Sequence, residues 1–226
     1  MSGAKQLTET KIDYYPVLKI MGYDPPDRSP ARIQSLVANY MKKSSRWISP
    51  TYNYTIKEVL EVSDNISRIE GDIVFEGGVI ARLLEGCEKV AIFSLTIGSA
   101  IEKLSASMAE YGWVLKASVL DAVASVMAEK LADEVHSRIA AKALTQGLAV
   151  SRRFSPGYCD WHVSQQKMVF KALGQHTAGV KLTPSNLMIP RKSMSGIIGL
   201  GPFGLADKYA PCLTCERNQE CPWRRI

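Results

Sequence analysis

A regular spacing of apolar residues between Gly112 and Thr145 constrains the fold of this chain more than any other feature of the sequence. The residues recur at steps of three and four positions and comprise Leu120, Val123, Met127, Leu131, Val135 and Ile139. Because an α-helix completes a turn every ~3.6 residues, these side chains share one face and predict a long helix with that face in the core. Helical periodicity from Ala100 to Tyr111 predicts another helix directly before it.

Segments rich in β-branched and aromatic residues surround these helices along the chain. We predict strands at 52–62, 73–75, 90–97 and 193–200, of which 90–97 reads VAIFSLTI and 193–200 reads SMSGIIGL. Shorter helices are predicted at 14–20, 31–43 and 163–173. Thr183 followed by Pro184 is typical of a helix start, so we expect a further helix there that ends at Pro190. The mixture of strands and helices indicates the α+β class.

The composition is that of a globular protein. Of 226 residues, 46% are hydrophobic and 22% are charged, which provides a packed core and argues against a disordered chain. No apolar run approaches the ~20 residues that span a bilayer, and the first residues lack a secretion signal, so we expect a cytoplasmic protein without a membrane partner. The net charge of +6 favours anionic partners, but the basic residues occur in pairs such as Arg152-Arg153 and not in runs, which argues against nucleic acid.

The segment from Arg153 to Tyr158 reads RFSPGY and predicts a tight turn, because proline fixes φ and glycine adopts positive φ. Two further segments follow it, LTPSNLMIP at 182–190 and SMSG at 193–196. In this order the three segments resemble the R-P-A-P-G-Y, L-T-x-S-x-x-M-x-P and S-V-S-G motifs of the activation domain of cobalamin-dependent methionine synthase. The resemblance implies that residues 1–208 form one such domain, with a curved, mostly antiparallel sheet flanked by helices.

The resemblance also implies a function in reactivating a corrinoid-dependent methyltransferase such as methionine synthase. Domains of this family bind S-adenosylmethionine next to a corrinoid that another domain or protein carries, and they help to return inactive cob(II)alamin to methylcobalamin. The implied cofactors are S-adenosylmethionine and a cobalamin carried by a partner, with an electron donor as a further partner. At 226 residues the chain is too short to hold the homocysteine, folate and cobalamin domains as well, so we expect an accessory module.

The resemblance assigns roles to four residues of the turn. Arg153 corresponds to the arginine that contacts the carboxylate of S-adenosylmethionine, a contact that suits a planar guanidinium. Ser155 stands where the family has an alanine whose backbone faces the ligand, and Gly157 belongs to the same ligand-facing turn. Tyr158 corresponds to the tyrosine that reaches towards the corrin face, which makes it the candidate catalytic residue.

The sequence departs from the family after the SMSG segment. The family has a tyrosine pair there that touches S-adenosylmethionine, but the aligned positions fall near Ala206 and Asp207, and Tyr209 is displaced from them. This departure favours a second function, a non-catalytic accessory or chaperone that binds a corrinoid protein. The retention of Arg153 and Tyr158 favours the first.

Three cysteines fall within ten residues near the C-terminus, in the segment CLTCERNQEC from Cys212 to Cys221. A total of five cysteines is odd, and Cys212 and Cys215 have C-x-x-C spacing, which together argue against a disulfide framework and favour a metal site. A structural zinc site needs four ligands, and the fourth has to come from Cys159, His162, Cys87, a partner or solvent, of which Cys159 is the favoured candidate. We therefore predict that residues 209–226 form a cysteine-rich tail that binds zinc or an iron–sulfur cluster, either as an electron relay or as a clip that only stiffens the C-terminus.

Overall fold

The computed structural model of the protein describes residues 14–25, 28–204, 208–215 and 219–221. The strands in these ranges are β1 (Thr51–Ser63), β2 (Ile66–Ile69), β3 (Ile73–Glu76), β4 (Lys89–Thr96), β5 (Ala149–Val150), β6 (Lys181–Leu182), β7 (Met188–Ile189) and β8 (Ser193–Gly201). The helices are α1 (Tyr15–Ile20), α2 (Ala31–Lys43), α3 (Gly78–Leu84), α4 (Ala100–Glu110), α5 (Val114–Leu144) and α6 (Gln166–Leu173). No helix within the described ranges combines the length and apolar character that crossing a bilayer requires.

Six of the strands form one sheet in the order β3-β2-β1-β4-β8-β5, and every neighbouring pair is antiparallel. The first part of β1 pairs with β4, and its last part pairs with β2. A register shift between Val59 and Glu61 separates the two parts. Because such an irregularity bends a strand and increases its twist, β1 curls the sheet. The predicted α+β class and curved antiparallel sheet are therefore confirmed.

The sheet is covered on both faces, which explains the continuous apolar run in β4. Phe93 and Leu95 point into a core shared with α1, α2, α4 and α5. Val90 and Ile92 point the other way, into a second core with α3, α6 and Trp161. A strand buried on both faces needs apolar side chains at odd and even positions alike, because successive side chains alternate between the faces.

The long helix α5 confirms the strongest sequence prediction. All six residues of the predicted stripe are buried in the first core, the most exposed of them being Met127 at 9%. Tyr111 and Gly112 separate α4 from α5, as their position in the sequence predicts. Helix α5 therefore packs along one face of the sheet.

The predicted helix between Thr183 and Pro190 is wrong, because β6 and β7 form a hairpin there. The Thr183 amide donates to the Leu187 carbonyl at 2.9 Å, and the Leu187 amide donates to the Thr183 hydroxyl oxygen at 3.0 Å. Asn186 adopts a φ of 64°, which a helix does not allow. The threonine hydroxyl that can cap a helix here closes a turn instead.

Candidate ligand-binding cleft

The RFSPGY segment forms a turn that is fixed at its base by Trp161. The fully buried Trp161 ring stacks on Phe154 with 6.2 Å between ring centroids and meets Phe75 edge-on at 5.5 Å. The Gly157 amide donates to the Trp161 carbonyl at 2.7 Å, and the Trp161 amide donates to the Tyr158 carbonyl at 3.0 Å. Gly157 has a φ of 98°, which glycine adopts without strain. Its amide is thus used inside the turn, where it shapes the loop that carries Tyr158.

Asp160 ties the same loop to helix α3. Its carboxylate accepts hydrogen bonds from the amides of Gly78 at 2.8 Å and Val79 at 3.2 Å, at the start of that helix. These amides have no partners within the helix, so a carboxylate from another part of the chain acts as the cap. The loop is therefore held at both Asp160 and Trp161.

Strand β8, which begins with the SMSG segment, holds the turn through backbone hydrogen bonds. Phe154 and Ile197 exchange two backbone hydrogen bonds, at 2.8 and 3.0 Å, so the turn lies directly on strand β8. A Cβ atom at Gly196 would clash with the carbonyl oxygen of Phe154. Glycine is needed in this motif because the backbone of the turn occupies the space that a side chain would fill.

A cleft of about 750 Å³ opens between the turn, helix α5 and the start of β8. Three of the residues predicted for the ligand site line this cleft, namely Arg153, Ser155 and Tyr158. Arg191 and Lys192 contribute further positive charge to its walls. The volume falls in the range typical of small-molecule sites.

The guanidinium of Arg153 is held by two carboxylates of α5. Its Nη2 atom lies 2.7 Å from Oε2 of Glu129, and its Nη1 atom donates to Asp133. The Arg153 side chain is only 13% exposed, whereas those of Glu129 and Asp133 are 38% and 65% exposed. A guanidinium has five N–H donors, so two carboxylate contacts do not exhaust its capacity. The cleft thus presents an arginine and an acidic residue side by side.

A second charged contact joins the start of β8 to α5. Lys192 Nζ lies 2.9 Å from a carboxylate oxygen of Asp121 and donates to the hydroxyl of Ser125 at 2.8 Å. Asp121, Ser125, Glu129 and Asp133 recur every four positions and so lie on one face of the helix. This polar stripe was not predicted, although the spacing of four residues between its members is a signal that could have found it.

Tyr158 lies at the mouth of the cleft. Its side chain contacts Phe154 edge-on at 6.2 Å between ring centroids, and the residue is 56% exposed. An aromatic side chain in this position is open to a molecule that approaches from outside.

Two cysteines of the tail, Cys212 and Cys215, lie near Cys159 in the turn. Cys159 has a φ of 49°, and burial together with a hydrogen bond to Cys215 and the nearby charges of Cys215 and Cys212 raises its pKa to about 12. Cys212 lines the cleft, and Cys221 is half-buried. Within the described part of the chain, no three histidine, cysteine or acidic side chains are placed closely enough to hold a metal ion. The structure thus places Cys159 near Cys212 and Cys215 without forming a complete ligand set among the described residues, and the metal site stays a prediction.

Tyr209 anchors the tail. The Arg82 guanidinium lies over the Tyr209 ring at 5.6 Å, and the tyrosine hydroxyl is 2.7 Å from the Thr214 hydroxyl. The ring also packs against the second core. Ala206 and Asp207, which align with the family's tyrosine pair, lie outside the described residues.

Comparisons with known proteins identify the family and the fold of the chain. The family described as vitamin B12 dependent methionine synthase, activation domain, matches residues 79–219, a range that contains α5, the turn and β8. A comparison with curated proteins found no match. The crystal structure of the MetH reactivation domain bound to AdoHcy is similar in fold, with a TM-score of 0.66 and 17% identity over 85% of this chain and 75% of that chain. The chain belongs to the family of vitamin B12-dependent methionine synthase activation domains.

Proposed function

We propose that this protein reactivates a corrinoid-dependent methyltransferase, by binding S-adenosylmethionine in the cleft and presenting its methyl group to cob(II)alamin on a partner. The observation that carries the proposal is the position of Arg153 and Tyr158, which line the cleft from a single rigid turn. The solved relative of similar fold was crystallised with AdoHcy, the product that remains after S-adenosylmethionine loses its methyl group.

The residues of the cleft fit the chemistry of S-adenosylmethionine. Its amino-acid end carries a carboxylate and an ammonium group, and the cleft offers Arg153 and Glu129 with 2.7 Å between their charged groups. The Glu129 side chain is 38% exposed, and the negative charge of its carboxylate attracts an ammonium or a sulfonium group. Bound S-adenosylmethionine supplies an electrophilic methyl group, and the task of the protein is to orient that group and exclude water.

The exposed position of Tyr158 in the lining of the cleft suits it to contact the partner's corrinoid. An exposed phenol on a fixed loop can contact the upper face of a corrin ring and displace or order a water molecule there. In the overall reaction, cob(II)alamin gains one electron and a methyl cation equivalent to give methylcobalamin, and S-adenosylmethionine leaves as its demethylated product. The electron comes from a separate electron donor.

The alternative is a non-catalytic accessory that binds a corrinoid protein with the same surface. The ion pairs of Arg153 with Glu129 and Asp133 favour it, because they satisfy part of the guanidinium without any ligand. The two functions differ in whether the cleft binds S-adenosylmethionine.

Calorimetric titration with S-adenosylmethionine, with and without a partner loaded with cob(II)alamin, separates them. The proposed function predicts binding that Arg153→Ala weakens and that Arg138→Ala leaves unchanged. Arg138 is a matched control because it pairs with Glu134 on the same helix and lies outside the lining of the cleft. If neither titration shows binding, while the partner still binds this protein, the accessory function is correct.

A further inference from the structure

The tail of the protein docks at the loop that carries Tyr158. Tyr209 fixes residues 208–215 against α3 through its contact with Arg82, and a short 3-10 helix at Pro211–Leu213 follows. Pro211 and Cys212 then form part of the wall of the cleft. Residues more than 50 positions apart in sequence are thus brought together at one edge of the cleft.

Cys159 meets the tail at this edge. The thiols of Cys215 and Cys212 both lie near enough to the Cys159 thiol to act on it. The positive φ of Cys159 is uncommon for a residue with a side chain, and Asp160 and Trp161 hold the loop in which it occurs. A strained backbone that presents a thiol to two other thiols is a reason to look for a function.

We infer that Cys159, Cys212, Cys215 and Cys221 bind one thiophilic metal centre, zinc or an iron–sulfur cluster, at the edge of the cleft. Cys212 and Cys215 have the C-x-x-C spacing that lets two neighbouring thiolates bind one metal. Cys159 provides the third ligand, because the loop that carries it forms the edge of the cleft that Cys212 also lines. Four thiolates complete a closed tetrahedral site of the structural type.

Cys221 is the fourth ligand because it is half-buried and follows Cys215 by six residues. Six residues span at most about 20 Å when extended, and they also allow the chain to fold back on itself. The described side chains do not yet converge on a common centre. Convergence is expected to accompany metal binding, because thiolate sites are rarely preformed without their metal.

The fifth cysteine is separate from this group. Cys87 is 7% exposed and lies in the second core, where its thiol donates to the Leu83 carbonyl at 3.6 Å. It serves as a matched control for effects of cysteine substitution that are unrelated to metal.

The test is metal and acid-labile sulfide analysis of the full chain after anaerobic purification, in the absence of S-adenosylmethionine and corrinoid. We expect either one zinc per chain without sulfide, or iron with a matching amount of sulfide and visible absorbance. Cys159→Ser and Cys215→Ser should each lower the metal content by at least about tenfold, whereas Cys87→Ala should retain it. The inference does not rest on the proposed function, because this readout requires neither ligand nor partner.

A second measurement uses wild-type protein and therefore tests the inference even if the cysteine variants do not fold. Wild-type protein stripped of metal is titrated with Co²⁺, and the intensity of the thiolate-to-cobalt absorbance reports how many thiolates bind. Four thiolates with one equivalent of Co²⁺ is the expected result. The inference is overturned by metal-free protein that gives no cobalt signal, by metal content that is unchanged in Cys159→Ser, or by a Cys159–Cys215 disulfide in the anaerobic protein.

Discussion

The Nη2 atom of Arg153 lies 2.7 Å from Oε2 of Glu129, and this ion pair joins the RFSPGY turn to the long helix α5. The contact between Lys192 and Asp121 repeats the arrangement two helical turns away, at 2.9 Å. Both basic side chains are 13% exposed, so these contacts are shielded from solvent on the basic side. Two charged contacts along one face of α5 therefore join this helix to the turn and to the start of β8.

Replacing Arg153 tests whether its guanidinium binds the ligand. Arg153→Ala should weaken S-adenosylmethionine binding by about 10- to 100-fold, since hydrogen bonds to charged groups contribute about 1.5–3 kcal/mol. The free energy of unfolding should fall by only about 1 kcal/mol, because the carboxylates of Glu129 and Asp133 regain water. Calorimetry measures the first effect and urea denaturation the second. An affinity equal to that of wild type would assign Arg153 a purely structural role.

Replacing Tyr158 tests the side of the cleft that faces the corrinoid. Tyr158→Phe should leave stability within about 0.5 kcal/mol of wild type, because the residue is 56% exposed. S-adenosylmethionine affinity should also be unchanged, while methyl transfer to the partner's cobalamin should slow by about 100-fold, the low end for loss of one preorganised hydrogen-bond donor. Tyr111→Phe, at the distant and 77% exposed α4–α5 turn, is the control. Equal rates for the two variants would remove the hydroxyl of Tyr158 from the mechanism.

Gly196 tests the close contact between the turn and strand β8. Gly196→Ala should lower the free energy of unfolding by about 3 kcal/mol, because the new methyl group would overlap the carbonyl of Phe154. Gly147→Ala is the control: its φ is 72° but nothing lies within 4 Å of the added atom, so about 1 kcal/mol of backbone strain is expected. Similar losses in both variants, measured by urea denaturation, would show that the contact with Phe154 is unimportant.

Cys87 gives the stability of the second core a dependence on pH. Burial raises the pKa of its thiol to about 11 from an ordinary value of 9.0. The folded protein thus holds this proton more tightly than the unfolded chain, so its contribution is fully present below pH 9 and is lost as pH rises towards 11. Over this pH range the free energy of unfolding of wild type should therefore fall relative to that of Cys87→Ala. A difference that stays constant from pH 8 to 11 would contradict the burial of this thiol.

The fold could largely be predicted from the sequence because its strongest signals are local. The stripe from Leu120 to Ile139 has the spacing of a helix, whereas the apolar runs of β4 and β8 are recognised by their strand length, their β-branched residues and the glycines that end them. The failure at Thr183 is instructive, since a hydroxyl followed by proline can begin either a helix or a turn. The backbone pairing of β6 with β7 selects the turn over the helix, and this pairing cannot be predicted from either segment alone.

The candidate cleft could be predicted only in part. The motif resemblance led to Arg153, Ser155 and Tyr158, which line the cleft. It gave no indication of Glu129, which lies 24 residues from Arg153, or of the contact between Asp160 and α3, which spans 82 residues. Partners of this kind are set by the tertiary fold, so a sequence pattern can name the residue that binds but not the residues that hold it in place.

The most direct test of the proposed function follows the methyl group. A partner loaded with cob(II)alamin is mixed anaerobically with this protein, a low-potential electron donor and S-adenosylmethionine that carries an isotopic label in its methyl group. The account predicts that cob(II)alamin absorbance decays and one labelled methyl group per cobalt appears as methylcobalamin, only when this protein is present. Labelled methylcobalamin formed at the same rate without the protein, or none formed with it, would contradict the account.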